Sequence, residues 1–250
     1  MKKQFYIGGI FLLSYIVFLI ATLPTNFLLN QIKVPKNISI YGVTGTIWNT
    51  NIEQLVVEKT SIKKVNAQLS FWSLFTLTPK LAITFGGSFV AGPEGKLNLA
   101  LSQQKAQISD FTMVINANEI AQQLTLPLPM TAQGDVEVVL ANAEIDLKKG
   151  YQCIDVKGNA QWTKAGVVAL EQKVKLGDLQ ADIDCEKGAL SLNIAPTNDL
   201  GLTFKATMSQ SGKISGNGFL KPGAKFPKAL NDVLPFLGTK DSQGRYRLYF

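Results

Sequence analysis

The chain has 250 residues, 25 of them basic and 18 acidic, with a net charge of +7 and no histidine. Its lysines are scattered, so no dense basic run marks a nucleic-acid surface, and the positive excess fits a solvated surface mildly attracted to anionic headgroups. The missing histidine removes His-based triads, Cys–His dyads and the commonest zinc sets.

The first element is residues 5–23, from Phe5 to Leu23, FYIGGIFLLSYIVFLIATL, and no charge occurs between Lys3 and Lys33. As a helix this run is about 28 Å long, close to the hydrocarbon thickness of a bilayer. A cleaved signal peptide is one alternative, but Leu23 stands where cleavage wants a small residue and the run is long for that purpose. A buried soluble helix is another, but only Ser14 and Tyr15 interrupt the apolar surface. The expectation is a retained single-pass anchor. Lys2 and Lys3 favour a cytoplasmic tail at residues 1–4, and Lys33 and Lys36 beyond the span weaken that asymmetry.

Residues 24–36 read as a connector. From residue 37 to 250 strand patterns dominate: 38–43, 52–58, 65–71, 80–90, 96–101 and 111–115 are rich in alternating or β-branched residues. Residues 118–124 suggest a short helix with Asn118 as N-cap, ending before Pro127 and Pro129. Residues 135–147 form a long strand whose apolar phase changes, which a bulge near 139–141 reconciles. Further strands are expected at 151–162, 173–185, 189–194, 202–208, 213–220 and 245–250. Gly177-Asp178, Lys187-Gly188 and Ser211-Gly212 signal turns. Residues 226–234 have helical spacing, with Pro227 suited to a first turn. Turn-sized gaps exclude parallel crossovers, so the expected fold is all-β: a mostly antiparallel, curved or folded-over sheet of about a dozen strands, with the N-terminal helix and one or two short helices. The best candidate for a two-lobe division is 124–130.

Chemistry-bearing patterns are sparse. In an oxidising compartment Cys153 and Cys185 pair naturally as a disulfide; in cytosol two buried thiols are expected. Asp182, Asp184 and Glu186 alternate on one side of a strand, and a solvated face explains them better than a calcium loop, whose glycine and twelfth-position acid are missing. The glycines at 86–87 and 92–95 lack the Lys-Ser/Thr of a phosphate loop. Trp48, Trp72 and Trp162 are expected to lie on alternating strands and to pack in or at the rim of the sheet. Trp72, with Phe71, Leu74 and Phe75, has an alternative as a docking or membrane-interface patch. No metal site, cofactor site or catalytic set is expected.

Val43-Thr44-Gly45-Thr46-Ile47-Trp48, shortly after an apolar anchor, resembles the Gly-Thr-Leu-Trp-type motif of the type II secretion system protein N family, with a looser likeness to AsmA-like envelope proteins. The stretch 67–75 ending in Phe71-Trp72-Ser73-Leu74-Phe75 is similar to the same family. So are the cysteines, with Gly158 and Trp162 after the first and Gly188-Ala189-Leu190 after the second, and the ending Gly238 then Gly244-Arg245-Tyr246. The resemblance covers essentially the whole chain and makes Gly42, Gly45, Thr46, Trp48, Trp72, Trp162, Gly244 and Arg245 structural motif positions. It implies a non-catalytic, single-pass bacterial inner-membrane component with a periplasmic β-domain. That component takes part in export of folded proteins across the outer membrane, with other secretion subunits and membrane lipid as partners. The periplasm agrees with the Cys153–Cys185 disulfide. An AsmA-like alternative is an envelope protein that binds or carries lipid in an apolar β groove.

Overall fold

The computed structural model describes residues 2–31, 34, 37–58, 60–87, 89–123, 130–148, 150–169, 172–232 and 234–249, without the side chains of 2–5 and 169. The suggested division at 124–130, apart from residue 130, and four of the connector's last five residues (32, 33, 35 and 36) therefore lie outside the described residues.

The chain begins with helix α1 (Lys2–Thr22), followed by the short α2 (Thr25–Leu29). Leucines, isoleucines and phenylalanines surround α1 on all sides, and they are exposed. Among the described residues no helix is long and apolar enough to cross a membrane. The expected transmembrane assignment is therefore not established by the fold.

The remainder is one antiparallel sheet: β1 (Ile38–Thr46), β2 (Asn49–Val57), β3 (Thr60–Leu69), β4 (Lys80–Phe85), β5 (Glu94–Leu101), β6 (Lys105–Asn116), β7 (Met130–Asp146), β8 (Gln152–Ala169), β9 (Gln172–Glu186), β10 (Ala189–Ile194), β11 (Leu202–Met208), β12 (Ile214–Leu220) and β13 (Tyr246–Tyr249). The strands pair strictly in chain order, so each lies beside its sequence neighbours. Most of the connections are short turns, which can only return the chain antiparallel; the β3–β4, β6–β7 and β12–β13 connections are longer. Helix α3 (Ala117–Ala121) fills part of the β6–β7 connection.

Alternation along each strand sorts the sheet into two faces. One cross-strand row reads Phe85–Gly95–Met113–Val138–Ala160–Ala181–Ile194–Phe204–Gly218–Leu248, without a polar side chain. On the opposite face a row runs Thr44–Asn51–Asn66–Thr84–Lys96–Thr112–Val139–Asn159–Asp182–Asn193–Lys205–Asn217–Tyr249 and is polar at nearly every strand. The apolar face is closed best toward the C-terminus. There Leu176, Leu179, Leu200, Leu220, Phe226, Leu234 and Tyr246 form a buried cluster, with Trp162 packed against it. A second cluster joins Ala143, Val156, Ala160, Ala181 and Ile183 beside the two cysteines.

Several expectations need correction. Helix α3 starts two residues early: Asn116, not Asn118, is its N-cap, its side chain accepting from Asn118 N at 3.0 Å. The 80–90 strand stops at Phe85 because Gly86 turns to φ 77°. Gly177-Asp178 is a bulge inside β9, where Ala165 pairs with Gly177 but Gly166 with Lys175. In place of a helix at 226–234 stand two 3₁₀ pieces, Lys228–Leu230 and Leu234–Leu237. Pro235 disfavours the α conformation at Leu234 and cannot donate to a continuing helix. The bulge expected near 139–141 is present: on β7 Leu140 pairs with Gly158 and Asn142 with Lys157, leaving Ala141 as the extra residue.

Candidate functional site: the helix–sheet junction

The Gly-Thr-Ile-Trp motif meets the end of α1. Thr46 and Asn49 close a tight hairpin, with Ile47 and Trp48 at its turn. The last carbonyls of a helix have no partner within it. Here the hairpin supplies partners: Trp48 donates its indole N–H to the Ile20 carbonyl at 3.0 Å, and Ile47 donates its backbone N–H to the Leu23 carbonyl at 3.1 Å. Pro24 bridges to Thr46, and the Thr25 and Thr50 hydroxyls share a buried hydrogen bond of 2.8 Å. Thr50 also donates to the Thr46 carbonyl at 3.1 Å. Gly45 permits this approach. Its φ is 94°, and a Cβ there would come within 2.3 Å of the Asn49 carbonyl oxygen. Gly42, at φ 64°, leaves room in the same way for Glu53.

Trp72 joins the same end of the molecule, but not on a strand as expected. It lies on a 3₁₀ turn, Phe71–Leu74, in the β3–β4 connection, because the adjacent bulky pairs Phe71-Trp72 and Leu74-Phe75 break the alternation that a strand needs. Trp48, likewise expected on a strand, sits at the hairpin turn. Phe71 bridges the two indoles, 5.2 Å from Trp48 and 5.7 Å from Trp72 between ring centroids.

The other motif positions are elsewhere. Trp162, on β8, donates its indole N–H to the Gln133 carbonyl at 2.9 Å. Cys153 and Cys185 form a disulfide with Cα atoms 5.7 Å apart, joining β8 to β9 at one end of the second apolar cluster. Arg245 donates through Nε to Asp241 at 2.9 Å and lies 4.0 Å over the Phe219 ring. Gly244, at φ 74°, turns the chain between them. The motif positions thus serve the junction, the core, the disulfide end and the last turn, and do not converge on one pocket.

Charged groups on the polar face pair locally. Lys205 bonded to Glu186 lowers that carboxyl's pKa, and Glu144 bonded to Lys105 raises the ammonium's. Asp184 accepts from Asn193 at 3.3 Å. The acidic row of β9 is a hydrogen-bonded, solvated face. Among the described residues no group of acidic or cysteine side chains is arranged to hold a metal. A cavity of about 520 Å³ lies across β3–β6, with walls mixing Leu69, Leu81 and Leu99 with Gln68, Lys80, Asn98, Gln107 and Ser109. It is not the uniformly apolar slot that an acyl chain requires.

A long β-meander whose first hairpin caps an apolar N-terminal helix defines a helix-tethered sheet scaffold. The particular kind follows from comparison with known proteins: residues 36–249 match the family described as type II secretion system (T2SS), protein N, and the chain belongs to that family. It is 25% identical to the type II secretion system protein N of Aeromonas hydrophila, over 100% of this chain and 98% of that protein. The Vibrio cholerae protein of the same name is 24% identical over 98% of this chain and 97% of its own length. The one from Pectobacterium carotovorum is 25% identical over 100% and 97%. No solved structure matches the chain.

Proposed function

We propose that this protein is a non-catalytic, single-pass inner-membrane component of the type II secretion system, with its sheet in the periplasm and in contact with other secretion subunits. The observation that carries the proposal is the family match along 36–249, together with near-complete coverage of relatives bearing that name. Anchoring by α1 is supported by its apolar circumference and the absence of charge between Lys3 and Lys33. Lys2 and Lys3 favour a cytoplasmic N-terminus, and the Cys153–Cys185 disulfide fits an oxidising periplasm. Partner contact is assigned to the edge of β13, which has a strand on one side only in the described sheet and can accept an added strand. The membrane-lipid partner enters through the anchor.

The test is made in native cells of the source bacterium. Photo-crosslinkers placed along 246–249 should capture a secretion subunit, and deletion of the protein should reduce release of exported proteins. Capture of no secretion subunit together with undiminished release would refute the proposal.

A further inference from the structure

We infer that the β3–β4 connection is a second membrane contact: an aromatic foot, centred on Trp72, that seats in the headgroup layer where α1 leaves the bilayer. This rests on the anchoring role proposed for α1. The foot is built around a buried polar pin. Ser73 donates its hydroxyl to the Ser70 carbonyl at 2.5 Å and accepts from Lys80 N at 2.9 Å, while Thr76 donates to the Ser73 carbonyl at 2.8 Å. With that pin turned inward, the apolar side chains face out: Trp72 is 77% exposed, Phe75 70% and Leu77 81%. The rings touch mainly one another, Phe71 to Phe75 at 5.4 Å and Trp72 to Phe75 at 5.9 Å. An ordered turn that holds large aromatics in solvent marks a contact surface.

Three observations identify the bilayer surface as its occupant. First, the stack is continuous with the anchor: Phe71 packs on Trp48, whose indole is bonded to Ile20 in the last turn of α1. The foot is thereby held at the level where an inserted α1 would emerge, the depth that tryptophan prefers. Second, exposed Phe27 and Leu28 on α2 lie beyond the end of the same helix. Third, no acidic residue occurs in 1–52 or 59–93, so these segments present no carboxylate to anionic headgroups, whereas Lys80 ends the foot.

The full chain is reconstituted in phosphatidylcholine–phosphatidylglycerol vesicles whose acyl chains carry bromine near the headgroup or near the bilayer centre. Emission of the Trp72→Phe variant is subtracted from that of the wild type. The exposed position and the retained ring keep the variant folded. The expected Trp72 emission is blue-shifted, loses roughly half or more of its intensity to shallow bromines, and loses less to deep ones. A chain that resists alkaline carbonate extraction but has red-shifted, bromine-insensitive Trp72 emission overturns the foot and leaves the anchor standing. Release by carbonate overturns the anchor itself. Shielding of Trp72 that appears only after purified secretion subunits are added makes the patch a protein dock and also overturns the inference.

Discussion

The carboxylate of Asp241 organises the last turn before β13. One oxygen accepts the backbone N–H groups of Gln243 and Arg245, each at 2.9 Å, and the other accepts the Arg245 guanidinium. The backbone hydrogen bond from Arg245 is the chief reason its pKa lies below the usual carboxylate range, reinforced by that residue's side chain and by the Gln243 N–H. A depressed carboxyl pKa contributes stability that is present above the unfolded-state value and lost as pH falls through the folded-state value. Asp241→Asn is therefore expected to lower the melting temperature at neutral pH. The gap from wild type should close as pH drops below about 4, where the free carboxyl of the unfolded chain begins to protonate. A gap that is constant with pH in thermal melts would remove the charge from the explanation. At this scale the sequence was partly legible. Gly244 and Arg245 stand out as motif residues, but the partner four positions earlier does not, because an isolated Asp before Ser-Gln-Gly has the look of any solvent-exposed turn. Trp48 was visible for the same reason as Arg245, and its bond to the Ile20 carbonyl was not, since backbone acceptors have no identity in the sequence.

Among the elements, those with sustained alternation were readable and those without it were not. Residues 173–185 and 135–147 announce β9 and β7 through regularly spaced apolar residues, and even the bulge at Ala141 appears as a change of phase. The 3₁₀ turn Phe71–Leu74 is apolar without a period, so composition alone drew it into a strand. Gly177 shows the opposite failure, a turn-forming residue used for a bulge inside a strand. The disulfide also belongs to this scale, since it ties β8 to β9 across a separation of 32 residues. A loop of that length implies a contribution of about 3–4 kcal/mol, mainly through restriction of the unfolded chain. Replacing both cysteines with serine is expected to lower unfolding free energy by about that amount. Two half-buried hydroxyls at the end of the second apolar cluster, one of them opposite Leu190, should add to the loss. Chemical denaturation of the wild type and the double variant checks this, and equal midpoints with equal slopes would contradict it.

At the scale of the whole molecule, the meander makes stability uneven. Every strand has the same kind of backbone pairing, so the difference between regions must come from what covers the apolar face. In the described residues of β1–β5 the only buried apolar side chain is Val65, whereas β7–β9 contribute Ala132, Ala143, Val156, Ala160, Ala165, Val174, Leu176, Leu179, Ala181 and Ile183. Leu81, Ile83, Leu97 and Leu99 continue the same face but are only half-buried. Local opening costs least where few apolar contacts are broken. Amide hydrogen exchange of the full chain in detergent or nanodiscs should therefore be graded along the sheet. The central amides of β8 and β9 should exchange at least about tenfold more slowly than those of β4 and β5. The gradient is a consequence of the one-dimensional pairing order: in a closed barrel β1 would pair with β13, and opening at either end would be shared. Uniform protection from β3 to β12 would mean that something covers the half-buried face of β4 and β5 as completely as Phe226 and Leu234 cover the other end. Selective slowing of β4 and β5 when secretion subunits are added would locate that cover on a partner.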